Sequence, residues 1–285
     1  MTTTAPAPVQ ASPAGRRTTR NGSVWSIVRW RVVIVAVVLA AWQFLPQIDW
    51  LQSRFAVFDP FFISSPTRIA AYLVSMLTGS GGVASVWPFL AYTLKGTVLG
   101  VALGIVVGAA VGLLFSQNAT VARIFRPFLT LMNATPRIAL VPVVVIVAGP
   151  TTTMSVITAF IVVFFLAFYN GFSGGRSVPV QVIENARLLG ASSAEVMWQI
   201  RLPYVIVWIF ASIPNAISFG LVSVVTAELL SGQPGMGQLI MAAVANADAT
   251  LTFSIVVILA VVGTVLVMVS DTVQRRVLHW WDQQP

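Results

Sequence analysis

The sequence predicts an all-α fold, a polytopic membrane helical bundle with about six transmembrane helices. Three observations carry this. Of 285 residues, 57% are hydrophobic and only 8% are charged, against about 25% charged in soluble domains. The apolar runs recur at the roughly 20-residue length of a membrane-spanning helix, rather than the roughly 10 alternating residues of a barrel strand. The charges gather at the ends of those runs. That placement argues against a nucleic-acid partner, which the net charge of +8 alone would suggest. There is no cysteine, so no disulfide framework and no thiol chemistry. The single histidine, His279, sits beside Trp280 and Trp281 and reads as an interfacial residue. The sequence offers no metal cluster and no catalytic constellation.

Residues 1–28 are Thr/Ala/Pro-rich and basic and read as a disordered tail in the cytosol. The membrane domain is expected over 29–276, followed by a short cytosolic tail, 277–285. Its first span covers about 30–45. The long tail ahead of it, without a small-x-small cleavage site behind, argues against a signal peptide. "SSPTRIAAYLVSML" (64–77) has a cap signal and a helical period but is short for a span, which fits an interfacial helix. Further spans are expected at about 92–115, 128–148, 152–170, 204–230 and 251–270.

Orientation follows from the basic residues. With the N-terminus inside, cytosolic segments collect Arg16, Arg17, Arg20, Arg29, Arg31, Arg123, Arg126, Arg176, Arg187, Arg201, Arg275 and Arg276. Only Arg54, Arg68 and Lys95 fall outside, and Arg137 lies within a span. The positive-inside rule therefore places residues 179–203 in the cytosol.

The second span carries Gly96, Gly100, Gly104, Gly108 and Gly112 at every fourth position. Glycine costs helix propensity, but in a bilayer it lets a neighbouring backbone approach. The stripe predicts close packing inside the bundle.

"ENARLLGASSAEVMWQIRLP" (184–203) holds Glu184, Arg187, Glu195 and Arg201 between apolar runs. At the bilayer centre each would cost about 2.5–3.5 kcal/mol, so the segment needs water or a protein partner. Pro179 suits a first turn, and Gly190 suits a left-handed helix end. Ser192 and Glu195 have capping-box spacing. Two short helices joined at Gly190 are expected, with the chain turning back into the membrane at Pro203.

This segment resembles the EAA motif of ABC importer permeases, EAA-x3-G-x9-I-x-L-P. Glu184, Asn185, Ala186, Gly190, Ile200, Leu202 and Pro203 occupy its slots, with Asn185 in place of the first alanine. The likeness runs over about 60–276. "TPRIALVPVVVI" (135–146) and "AELLSGQPGMGQLI" (227–240) are similar to the nitrate, sulfonate and taurine branch. Many members of that branch have Trp-Phe-Gly where this chain has Val147, Ala148 and Gly149.

The resemblance implies a MetI-like permease fold in the bacterial cytoplasmic (inner) membrane. It implies a non-enzymatic transport subunit coupled at 179–203 to a separate cytosolic ABC ATPase, which uses the ATP. Glu184 would face the ATPase and Gly190 would form the bend; Arg187, Glu195 and Arg201 are rim candidates that the motif itself does not assign. An extracytoplasmic substrate-binding protein and a second permease copy are the other implied partners. The cargo would be a small solute such as a sulfonate, nitrate or taurine, or alternatively a pyrimidine-type vitamin precursor. This chain binds no cofactor on that reading. It lacks the G-x-x-x-x-G-K-[ST] loop that holds ATP phosphates, its only lysine being Lys95.

Embedded polar residues mark pathway candidates. Ser212, Asn215, Phe219, Ser223 and Thr226 fall on one side of the fifth span. They line a cavity or hydrogen-bond between helices. Arg137, beside Pro136, meets an anionic substrate or snorkels to headgroups. Glu228 lies off the stripe and reads as a structural or gating contact. A secondary transporter is the competing function, but neither midplane acids nor repeated halves support it.

Overall fold

A computed structural model describes residues 21–55, 59–134 and 136–278. Five of its helices are long and apolar enough to cross a membrane: Ser26–Gln47, Trp87–Ser116, Thr152–Arg176, Ser193–Ser231 and Ala249–Val277. The named elements are α1 (Asn21–Phe44), α2 (Pro66–Thr78), α3 (Trp87–Ser116), α4 (Ala119–Ala134), α5 (Val141–Ala148), α6 (Thr152–Arg176), α7 (Val180–Leu188), α8 (Leu202–Ser231), α9 (Met236–Ala245) and α10 (Ala249–Val277). Residues 21–28, expected in the N-terminal tail, already belong to α1. His279, Trp280, Trp281 and the rest of the C-terminal tail lie outside the described residues, as do residues 1–20.

The centre of the bundle is the pair α3–α6. A Cβ added at Gly96 would stand 2.6 Å from Ser155 Cβ, and one at Gly100 would stand 2.6 Å from the Val156 carbonyl oxygen. Gly104 faces Val163, Gly108 faces Ala167, and Gly112 faces the backbone of Phe168 and Phe172. From α6, Gly171 meets the backbone of Ala109 and Gly175 meets Ser116. The expected close packing of the glycine stripe is what the structure has. Both helices step by four, and both sets of numbers rise together, so the two helices run parallel.

Parallel packing dictates the path between them. Ser116 lies beside Gly175, and Gly96 lies beside Ser155. The intervening chain must therefore return the length of the pair, about 30 Å for 20 residues at 1.5 Å each. It does so in pieces. The span expected at 128–148 is not one helix: α4 stops at Ala134, Arg137–Leu140 form a 3-10 turn, and α5 follows. Pro136 has no N–H to donate and restricts the residue before it, so the ladder cannot run through it. Pro142 is tolerated because it sits in the first turn of α5. At one end Phe125 of α4 meets Phe115 of α3 edge-on, with centroids 4.8 Å apart. At the other, Val141 and Val144 of α5 pack with Met154 and Ala227. Where a sixth span is expected, the described residues thus form a broken segment, alongside five long helices.

α8 runs antiparallel to this pair, with Val205 and Trp208 against Gly174 and the opposite end near Gly96. α10 packs on α8 through Leu266 and Val267. The short α2 buries Ile69 and Met76 and ends at Gly79 in the left-handed region, φ 67°. A short helix is expected here, and one forms. α1 stays peripheral, tied on by Trp42, whose Nε1 donates to the Ile63 carbonyl at 3.2 Å.

Candidate functional site

α6, α7 and the start of α8 meet at the end of the bundle that carries Arg176, Arg187 and Arg201. The backbone there is closed by local hydrogen bonds. After α7, Gly190 adopts φ 93°. Its N–H donates to the Arg187 carbonyl at 3.0 Å, and the Ala191 N–H donates to the Ala186 carbonyl at 2.9 Å. These are the two bonds of a Schellman ending, which glycine enters without Cβ strain. Two residues on, a capping box forms. The Glu195 N–H donates to Ser192 Oγ at 3.2 Å, and the Ser192 N–H donates to Glu195 Oε2 at 2.7 Å. Two helix ends are thereby satisfied within six residues, and the turn between them becomes a rigid knob.

One expectation about this knob changes. The chain does not turn at Pro203, because helix continues from Ser193 into α8. Val196–Arg201 form a π-helical segment, and Pro203 lies in the first turn of α8. A proline ring clashes with the carbonyl four residues back in an α-helix. Widening the preceding turn to i→i+5 bonding relieves that conflict. The second limb of the knob is therefore the rigid base of a long helix.

Glu184, Asn185, Arg187 and Gly190 are exposed on the knob, while Ala186, Ile200, Leu202 and Pro203 are half-buried. α7 packs against the π-helical segment, and the small Ala186 lies on its half-buried side. Sequence reasoning missed the two most exposed large apolar residues, Leu188 (85%) and Leu189 (90%), at the tip. Their signal was a pair of leucines directly ahead of a helix-ending glycine.

The pathway candidates separate on the structure. Asn215 and Phe219 are exposed. Ser212 and Ser223 are buried and donate to the carbonyls of Ile209 at 2.8 Å and Gly220 at 2.9 Å. Thr226 donates to the Val222 carbonyl at 2.8 Å. The exposed stripe of α8 runs through Trp208, Ala211, Asn215, Ser218 and Val222. Ser218 was absent from the sequence reading, although it continues the three- and four-residue spacing from Ala211. Arg137 lies in the 3-10 turn between α4 and α5.

At the other end of α8, Glu228 is fully buried. The Thr93 hydroxyl stands 2.8 Å from Oε2 and 2.9 Å from Oε1, and it accepts from the Met236 N–H at 2.9 Å. The Gly237 N–H donates to Oε2 at 3.1 Å. A Cβ on Gly235 would collide with the carboxylate. This group pins α3, α8 and the start of α9 together.

Fold and site define a class: a polytopic helical membrane protein that presents a rigid, apolar-tipped knob at its arginine-rich end. The chain belongs to the family described as binding-protein-dependent transport system inner membrane component, whose model matches residues 100–281. It is therefore an ABC transporter permease, a membrane-embedded transport subunit. It is 25% identical over 247 residues to the taurine transport system permease protein of Escherichia coli (strain K12), covering 86% of this chain and 87% of that one. It is 26% identical to the riboflavin transport system permease protein of Chloroflexus aurantiacus, covering 78% and 82%. The putative aliphatic sulfonates transport permease protein of Bacillus subtilis is 22% identical, with 87% and 86% covered. Among solved structures, the inward-facing MetNI methionine ABC transporter matches 67% of this chain and 95% of its own, with TM-score 0.58 and 17% identity. The MetI-like fold expected from the sequence is the fold observed.

Proposed function

We propose that a separate cytosolic ABC ATPase docks on the knob of residues 180–201 and drives uptake of a small solute with an anionic group, of the sulfonate, nitrate or taurine type. The observation that carries this reading is the exposure of Leu188 and Leu189 on a turn locked by hydrogen bonds. Apolar side chains held out on a rigid, charged support are a docking surface. The arginine-rich end is the cytosolic one, as the positive-inside rule demands, and the N-terminus lies on the same side. Glu184 and Arg187 supply charged rim contacts to the ATPase, which binds the ATP. One knob per chain calls for two permease chains to engage two ATPases, and a binding protein delivers cargo at the opposite end. The exposed stripe through Asn215 and Phe219 faces the pathway. The taurine and aliphatic sulfonate permeases among the relatives support the cargo class.

Co-purification of the ATPase tests the docking. Leu188→Asp/Leu189→Asp, Glu184→Ala and Gly190→Pro are expected to lose ATPase and ATP-driven uptake, and the exposed tip variants keep the native melting temperature. Retention of both by all the variants would falsify the docking reading. Binding of taurine, alkanesulfonates and nitrate to the partner binding protein tests the cargo separately. If none binds, the cargo class is wrong and the docking is untouched.

A further inference from the structure

Between α3 and α8, at the arginine-rich end, lies a groove of about 390 Å³. The side chains lining it are apolar apart from the indole N–H of Trp198, from Val106 and Leu114 on α3 to Met197, Ile206 and Phe210 on the other wall. Small-molecule sites carry a few polar groups that orient their ligand, and this groove has at most that one. On α8, the groove residues Leu202, Ile206 and Ile209 lie roughly opposite the exposed stripe of Ala211, Asn215, Ser218 and Val222. The groove is thus on the flank of the molecule, away from the stripe assigned to the pathway. Farther along, α10 covers this flank by packing Leu266 and Val267 around Ile213 and Ile217, but it contributes no residue to the groove. Among the described residues the groove is therefore left open on that flank, where a bilayer would present acyl chains.

A second observation lies next to it in the chain. Arg201 lies in the same turn as Met197, Trp198 and Leu202. Its Nε and Nη1 are buried without a hydrogen-bond partner. Arg187 and Arg176 are within electrostatic range and repel it. The nearest acid in sequence, Glu195, is committed to the Ser192 cap. A half-buried guanidinium with two buried, idle nitrogens beside two like charges is costly unless an anion sits on it. Arg176 ends α6 and Arg201 is the last residue of the π-helical segment, next to Leu202 of α8, so both stand where the knob joins the long helices rather than at its tip.

We propose that this groove holds an acyl chain of an anionic phospholipid, with the headgroup phosphate bound by Arg201 and Arg176. Arg201 directly precedes the groove residue Leu202, and an amphiphile with one apolar and one anionic end matches both groove and cation. The site is separate from the knob tip and does not depend on the docking reading.

The test places the full chain in nanodiscs of phosphatidylcholine doped with phosphatidylglycerol, either lipid being brominated in its acyl chain. The Trp198 contribution to fluorescence is taken as the difference between the native chain and Trp198→Phe. Brominated phosphatidylglycerol is expected to quench it at lower mole fraction than brominated phosphatidylcholine, by roughly fivefold for each arginine that meets the phosphate. Arg201→Gln and Arg176→Gln each reduce that preference, and the pair abolishes it. Arg275→Gln, which removes the same charge elsewhere at this end, leaves it intact, and inorganic phosphate does not compete. Equal quenching by both lipids overturns the proposal, as does a preference that survives the double variant or falls equally with Arg275→Gln. Competition by inorganic phosphate overturns it too, since the site would then take an anion without a chain. Absence of quenching by either lipid also overturns it, because a protein surface then covers the groove.

Discussion

Thr93 and Glu228, 135 positions apart, join the ends of α3 and α8 remote from the knob through a hydroxyl–carboxylate contact of 2.8 Å. Both side chains are fully buried. The same carboxylate takes the Gly237 N–H, and the same hydroxyl takes the Met236 N–H. Two buried side chains therefore satisfy two backbone donors at the start of α9. Removing either one strands the rest, and an unmet buried polar group costs about 1–3 kcal/mol.

Thr93→Val is accordingly expected to lower the melting temperature of the purified chain, whereas Thr93→Ser retains most of it. The sharper test uses Gly235. Gly235→Ala pushes a methyl into the carboxylate and destabilises, but in a Glu228→Ala background that clash is gone. The double-mutant cycle should show coupling of about 0.5–3 kcal/mol. Additive effects of the two changes would mean that Gly235 is not there to make room for Glu228.

The α3–α6 seam makes a graded prediction. At Gly100 and Gly108 an added Cβ meets backbone atoms of α6 that no side-chain rotation can move. Gly100→Leu and Gly108→Leu must separate the helices and are expected to cost more than the roughly 1–3 kcal/mol of ordinary overpacking. Gly263 faces only the tip of the Leu221 side chain, at 3.5 Å. Gly263→Ala should leave folded yield and melting temperature close to native. Equal losses at all three positions would contradict the close parallel seam.

The features legible in the sequence are those whose partners lie within a few residues. The Ser192–Glu195 box, the left-handed turn at Gly190 and the glycine stripe of α3 each declare themselves by spacing. The partner of that stripe did not, because Ser155, Ala159, Val163 and Ala167 form an ordinary row of small-to-medium side chains. Thr93 was invisible as the partner of Glu228 for the same reason: nothing local marks a contact across 135 residues. The span expected at 128–148 failed because an average over apolar residues does not register what Pro136 does to the backbone. On α8 a polar stripe could be seen, but not which of its members faces a neighbour. Ser212 and Ser223 turned out buried, and their hydroxyls are spent on their own helix.

At the knob, stability and coupling should separate. Ser192→Ala removes the acceptor for the Glu195 N–H and is expected to cost about 0.5–2 kcal/mol of local stability. Hydrogen exchange at residues 193–197 should rise without a matching change in α3 or α6. Gly190→Val forces a branched side chain to φ 93° and should loosen the same turn more than Gly190→Asn does, since asparagine tolerates that region better. If exchange rises across the whole bundle instead, the knob is not an independently closed unit.

The π-helical segment yields the last prediction. An i→i+5 stretch amounts to one extra residue threaded into an α-helix, and Val196–Arg201 lie directly between the knob and α8. Deleting Gln199 removes that residue, and Pro203→Ala in the same chain removes the ring that the wide turn accommodates. The helix can then close as continuous α, so helicity and melting temperature should stay near native. The six residues of the wide segment turn about as far as five residues of α-helix do, so the knob keeps its direction relative to α8. Leu188, Leu189 and Glu184 would face as before while the bundle is unchanged. The combined variant is therefore expected to keep most of its ATP-driven uptake in vesicles that also contain the ATPase and binding protein. Loss of uptake by a combined variant that stays folded and helical would show that the wide turn itself, and not only the direction it preserves, is needed to pass force from the knob to α8.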